Sequence, residues 1–125
     1  MFRTITSLAA ISLGVAQTHD KVYVDSADRV IRDKDGRHMI MHGVNVVYKV
    51  APYIPEEQTF ESQDSLNDED IANLKKWGFN MIRLGVMWEA VETAPGVYNQ
   101  EYLDEIDKLI TKLGDNGIYT LVDAH

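Results

Sequence analysis

The chain has 125 residues, of which 45% are hydrophobic and 26% charged, a balance that fits an ordinary globular protein and neither a disordered nor a membrane-embedded one. Its net charge of −8 repels nucleic-acid phosphates and excludes nucleic acid as a partner. Cysteine is absent, so no disulfide framework is available and the fold must rest on its core, as part of something larger than a small stapled domain.

The first segment, "MFRTITSLAAISLGVAQT", carries one positive charge at Arg3 and an apolar stretch from Ile5 to Val15. Gly14 and Ala16 stand at the −3 and −1 positions of a cleavage site. This layout predicts a secretory signal peptide over residues 1–16, a domain over residues 17–125, and a secreted or lysosomal product. The apolar stretch is too short to span a membrane.

"KVYVDSADRVIRDKDGRHMIMHG" reads as a β-hairpin. Val22 and Val24 alternate with polar residues, Val30 and Ile31 follow, and "DKDG" supplies the turn before Met39 to Met41. Asp33 and Asp35 before Gly36 suggest a calcium loop, but the third ligand position and the distal Glu are missing, which favours a turn. His38 and His42 lie four apart on a strand rather than a helix, so zinc is not expected. "MIMHGVNVV" is a strand that breaks at Gly43 and continues to Val47. A polar, Pro-containing loop runs from Tyr48 to Ser65, a length that in compact domains marks function or disorder.

Asn67 then caps a helix whose first turn holds Asp68, Glu69 and Asp70, where the helix dipole favours negative charge. Ile71, Leu74 and Trp77 form its apolar face, and Gly78 can end it in a left-handed conformation. "FNMIRLGVMW" is the next strand, and "EAVETAPGVY" is a loop with a turn at Pro95-Gly96. Asn99 caps a second helix with an apolar face of Leu103, Ile106, Ile110 and Leu113, ending near Gly114 or Gly117. "IYTLVDAH" is the last strand.

Strands that are apolar on both faces and alternate with helices predict a parallel sheet covered by helices. The helix-to-strand connections are short, whereas the strand-to-helix loops are long and carry the polar and aromatic residues. That asymmetry belongs to an α/β (β/α)8 TIM barrel, whose working face is built from the loops after each strand. A doubly wound sheet is the alternative, but "HGVNVVYK" lacks the Gly-rich phosphate loop expected after its first strand. A barrel takes about 250 residues and eight strands. The chain therefore reads as the N-terminal part of one: about three βα units preceded by a β-hairpin.

Three polar residues stand where strands emerge. Arg83 is flanked by Met81, Ile82, Leu84 and Val86, and a buried guanidinium needs an acidic partner. Asp123 is one possibility, and a carboxylate from a later strand fits better. His125 projects to the same side of its strand as Asp123, two residues before it. Asn45 follows Gly43 and could instead satisfy loop backbone groups. Trp88 and Tyr98 are open to two readings, core residues or a sugar-stacking platform. No nucleophile elbow, P-loop or zinc-protease motif occurs.

"GRHMIMHGVNVVYK", "LKKWGFNMIRLGVMWEAVETAPGVYNQEYL" and "GIYTLVDAH" together resemble the N-terminal third of glycoside hydrolase family 5, in its endoglycoceramidase branch. The likeness runs from about Val22 to His125. It implies a retaining (β/α)8 hydrolase that cleaves between oligosaccharide and ceramide in glycosphingolipids, without a cofactor or metal and without an obligate protein partner. A glycosphingolipid or oligosaccharide substrate follows, with peripheral contact to membrane lipid. The likeness gives Arg83 the role of holding the nucleophilic carboxylate ionised, and makes His125 an active-site residue near the scissile sugar. Asn45 and Lys49 would line the glycan cleft, and Trp88 would support it.

The family's two catalytic glutamates come from the fourth and seventh strands. Glu89, Glu92 and Glu101 do not match them, so no catalytic residue is assigned. A chain that ends on His125, without the Gln-Asp that follows in the family, reads as a fragment that is inactive by itself. A family 5 β-glucanase or mannanase and a non-catalytic glycan- or lipid-binding protein are the alternatives.

Overall fold

The computed structural model describes residues 21–125, and the predicted signal peptide lies outside them. The elements in chain order are β1 (Tyr23–Val24), β2 (Ile31–Arg32), β3 (Gly43–Val46), α1 (Asp68–Lys76), β4 (Met81–Val86), α2 (Trp88–Val91), β5 (Glu92–Ala94), β6 (Val97–Tyr98), α3 (Gln100–Asp115) and β7 (Tyr119–Ala124). Strands β3, β4 and β7 form a parallel sheet in that order, as the alternation of strands and helices predicts. Among the described residues no helix is long and apolar enough to cross a membrane.

The two longer helices start and stop where the sequence directs. Asn67 accepts the Asp70 amide at 2.9 Å while Asp70 accepts the Asn67 amide at 3.0 Å, a reciprocal capping box. Asn99 accepts the Tyr102 amide at the start of α3. Gly78 and Gly117 follow the helices with φ of +84° and +88°, a conformation that costs glycine nothing. Side chains alternate across β4, and the helices cover one of its faces. Ile82 and Leu84 are buried there among Ile71, Leu74, Leu109, Leu113 and Ile118. Each such side chain contributes about 1.5–3 kcal/mol on leaving water.

The Tyr48–Ser65 segment is neither structureless nor loose. The Glu56 amide donates to Asp64 O and the Leu66 amide to Glu56 O, which closes the loop at its base. Glu56 and Glu61 carboxylates accept amides of Gln58, Thr59 and Gln63, so the loop folds on its own side chains. Two residues of α3 fasten it from outside. Lys112 reaches Glu57 at 2.6 Å and Asp68 at 3.1 Å. The buried Tyr102 hydroxyl donates to Tyr53 O at 3.1 Å and accepts the Met87 amide at 3.4 Å.

Several expectations are corrected. The strand does not break at Gly43; it begins there. A Cβ on Gly43 would lie 1.9 Å from Met81 O, so the residue is small because β3 and β4 approach too closely for any side chain. The first reversal of the N-terminal hairpin comes at residues 25–30, where Asp25 and Asp28 carboxylates accept the amides of Ala27 and Val30. The "DKDG" turn makes a second reversal, joined by a bridge between Arg32 and His38. Asp33 is consumed by that turn, accepting from the Asp35 and Arg37 amides and the Arg37 guanidinium. Burial pushes its carboxyl up, but these donors outweigh that and hold it below the usual range.

Trp77 is not on the buried face of α1 but 64% exposed at its C-cap. The predicted strand stops short, at Val86; its last residue, Trp88, opens the helical turn α2, which runs into the predicted loop ahead of the β5–β6 hairpin closed by Pro95-Gly96. On α3 the buried stripe is Tyr102, Ile106, Leu109 and Leu113, with Ile110 only partly covered.

Two substitutions test this packing. Gly43→Ala pushes a methyl into backbone that cannot swing aside, and is expected to cost at least about 1–3 kcal/mol in urea unfolding. Tyr102→Phe keeps the ring and removes the bridging hydroxyl. It should cost about 1 kcal/mol and speed hydrogen exchange at the Met87 amide more than at Leu84.

Candidate active site

The parallel register decides which side chains meet. Asn45, Arg83 and Leu121 are paired across β3, β4 and β7, and Gly85 is paired with Asp123 one step further along the same face. This is the face opposite to Ile82 and Leu84. Arg83 Nη2 donates to Asp123 Oδ2 at 2.6 Å, with the two side chains 35% and 28% exposed. The anion that a half-buried guanidinium requires is thus supplied by a visible strand, which corrects the preference for a carboxylate from later sequence. His125 Nε2 lies 3.0 Å from the same Asp123 oxygen. The strand ladder holds His125 itself in place: its amide donates to Val86 O, and its carbonyl accepts the Trp88 amide.

His125 also lines a cleft of about 470 Å³ with Lys49, Met87, Trp88 and Glu89. Trp88 is 59% exposed, so of its two readings the core one is overturned, and its indole stands at the cleft wall. Tyr98 is likewise exposed, on β6, and does not line this cleft. Lys49 reaches the cleft from the loop after β3. Asn45 remains beside Arg83 in register, exposed and outside the cleft wall.

The wall is braced from behind. Glu89 is hydrogen-bonded by the Tyr53 phenol, whose pKa is raised by burial and by the Glu89 charge. Tyr102, the residue that ties Tyr53 to Met87, is raised by burial. Tyr53 takes a left-handed backbone conformation with φ of +65°, uncommon for a residue with a side chain. Among the described residues no group of three or more His, Asp or Glu side chains could hold a metal ion. His42 instead stacks on Phe79, with ring centroids 4.4 Å apart.

Two residues matter more than the sequence suggests. Asp123 is the hub of the polar cluster, and its signal was its two-residue spacing from His125 on a strand. Asn80 stitches the opposite end of the sheet. Its side chain accepts the His42 amide at 2.8 Å and donates to Ile40 O at 3.0 Å, while its carbonyl accepts the Tyr119 amide.

The cluster and cleft sit at the carboxyl ends of parallel strands, where α/β barrels place their chemistry. Residues 33–125 match the family described as cellulase, glycosyl hydrolase family 5. The chain is 35% identical over 124 residues to an endoglycoceramidase of Hydra vulgaris, covering 95% of this chain and 24% of that protein. It is 37% identical over 93 residues to endoglycoceramidase I of Rhodococcus hoagii, covering 74% and 18% respectively. Among solved structures, endo-glycoceramidase II from Rhodococcus sp., in complex with a cellobiose-like imidazole, superposes with a TM-score of 0.62 at 28% identity. That match covers 75% of this chain and 20% of the other. The chain thus spans about a quarter or less of the length of the relatives it matches. The chain belongs to glycosyl hydrolase family 5 and forms part of its α/β barrel fold.

Proposed function

We propose that this chain is the substrate-holding part of a retaining glycosidase that cleaves between the oligosaccharide and the ceramide of glycosphingolipids. The observation that carries the proposal is the Arg83 guanidinium, held half-buried on the open face of the parallel sheet by Asp123, whose carboxylate also lies against the His125 imidazole of the cleft. Asp123 engages Nη2 alone, and a guanidinium has five N–H donors in a rigid fork. Such a group can keep a second carboxylate ionised, which is what a glycosidase nucleophile needs.

His125 supplies a nitrogen at hydrogen-bond reach of a sugar hydroxyl in the cleft, and Trp88 offers a flat apolar face to a sugar ring. Lys49 donates from the loop after β3. The acid/base and nucleophile carboxylates belong to later strands of the family barrel, and the 125-residue chain is inactive without them. The relatives named endoglycoceramidase support the ceramide-linked substrate over a polysaccharide. The leader-like first sixteen residues support a secreted or lysosomal enzyme that meets its lipid at a membrane surface.

A longer protein carrying this chain is expected to hydrolyse a fluorescent glycosphingolipid and not β-glucan or mannan, and Arg83→Ala in it should lower kcat by roughly 10²–10³. The 125-residue chain assayed alone should release no ceramide. Turnover by that chain, or a preference for polysaccharide in the longer protein, would overturn the corresponding part of the proposal.

A further inference from the structure

We propose that Asp123 is a positioning residue, holding Arg83 and His125 in one arrangement through its single oxygen Oδ2. The proposal rests on the glycosidase reading only for what the cleft binds; the arrangement itself stands on geometry. Arg83 Nη2 and His125 Nε2 lie 2.6 Å and 3.0 Å from the same oxygen. All three side chains are between 28% and 35% exposed, so none is free to sweep through solvent. The backbone makes the meeting obligatory. Asp123 and His125 are two apart on one strand and share its face, and Gly85, paired with Asp123, presents no side chain between that carboxylate and Arg83 on the neighbouring strand. A Cβ at Gly85 would lie 2.8 Å from the Val47 side chain, which packs over that position, so a side chain there would disturb its surroundings.

The chemistry follows from the donors. Arginine stays cationic, so Asp123 stays a carboxylate and can only accept. A carboxylate only accepts, so of the two neutral tautomers of His125 the one that Asp123 would favour carries its proton on Nε2, leaving Nδ1 as the acceptor. The same oxygen holds Nη2 toward Asp123 and so biases the direction of the remaining donors. Asp123 therefore sets two things at once: the tautomer that His125 shows to a ligand hydroxyl, and the aim of Arg83. The other charged groups facing His125 are Lys49 and Glu89 on the cleft wall, and Glu89 is already engaged by Tyr53. Neither displaces Asp123 from Nε2.

The test is side-chain NMR on the full chain with labelled histidine and arginine, near neutral pH. In the unaltered chain the His125 Nε2 should be protonated and its proton slow to exchange with water. Asp123→Asn keeps the shape and removes the charge. It should speed exchange of that proton about tenfold and shift the Arg83 side-chain resonances in the same variant. A change confined to Arg83, with the His125 ring unaltered, would overturn the proposal, because it reduces Asp123 to an ordinary ion-pair partner. Should Asp123→Asn fail to fold, the unaltered chain decides: an unprotonated or freely exchanging Nε2 overturns the assignment, and a protected one upholds it. None of these readings uses turnover, so failure of the glycosidase proposal would leave them unaffected.

Discussion

The alternation of β4 between a helix-covered face and an open one is the constraint from which the rest follows. Ile82 and Leu84 are buried against α1 and α3, and their burial fixes the strand's register and rotation. Arg83 is then forced onto the other face, together with Asn45 and Asp123 from the flanking strands. A one-residue slip would exchange isoleucine and leucine for a guanidinium in the core, at a cost of several kcal/mol per buried charge. The polar cluster is therefore positioned by the hydrophobic one. Gly43 allows the close approach of β3 to β4, and Asn80 fastens the start of all three strands. The strand ends where the cluster lies are thus anchored at their other extremity.

The loops that form the cleft are placed by a second, independent set of contacts. Tyr102 and Lys112 both belong to α3, one on its buried side and one partly covered, and both reach into the Tyr48–Ser65 segment. Tyr102 also takes the Met87 amide, at the point where β4 gives way to α2 and Trp88. A single helix thus joins the loop that brings Lys49 to the turn that brings Trp88. Long loops after strands vary in length and sequence, and such ties give them a defined geometry without a hydrophobic core of their own.

Signals in the sequence are legible where a residue acts within its own turn. The caps at Asn67 and Asn99, the left-handed glycines after each helix and the Asp33 turn depend on neighbours two to four positions away. What was hidden depends on partners far along the chain. Asp123 lies 40 residues from Arg83: the sequence offers it as one possible partner among others, and the parallel register selects it. Trp77 has helical spacing, but it falls at the C-cap, where the chain has already turned outward. The reach of Tyr102 to Tyr53 spans 49 residues, and no spacing rule encodes it. The short β5–β6 hairpin escaped for a different reason: its strands have two or three residues each, too few for an alternation to show.

Charge balance gives the cluster its use in the proposed glycosidase. Arg83 and Asp123 cancel, so the open face carries a nearly neutral pair despite the acidic chain around it. A lone guanidinium there would bind any anion, whereas one already committed through Nη2 offers a reduced and directed set of donors. Retaining chemistry needs a pair of carboxyls about 5–5.5 Å apart, one ionised and one protonated. A partly satisfied arginine can favour ionisation of the carboxyl in line with its remaining donors without equally stabilising charge on the other. The discrimination comes from direction rather than from total charge, and direction is what a shared, half-buried carboxylate oxygen on a rigid strand supplies.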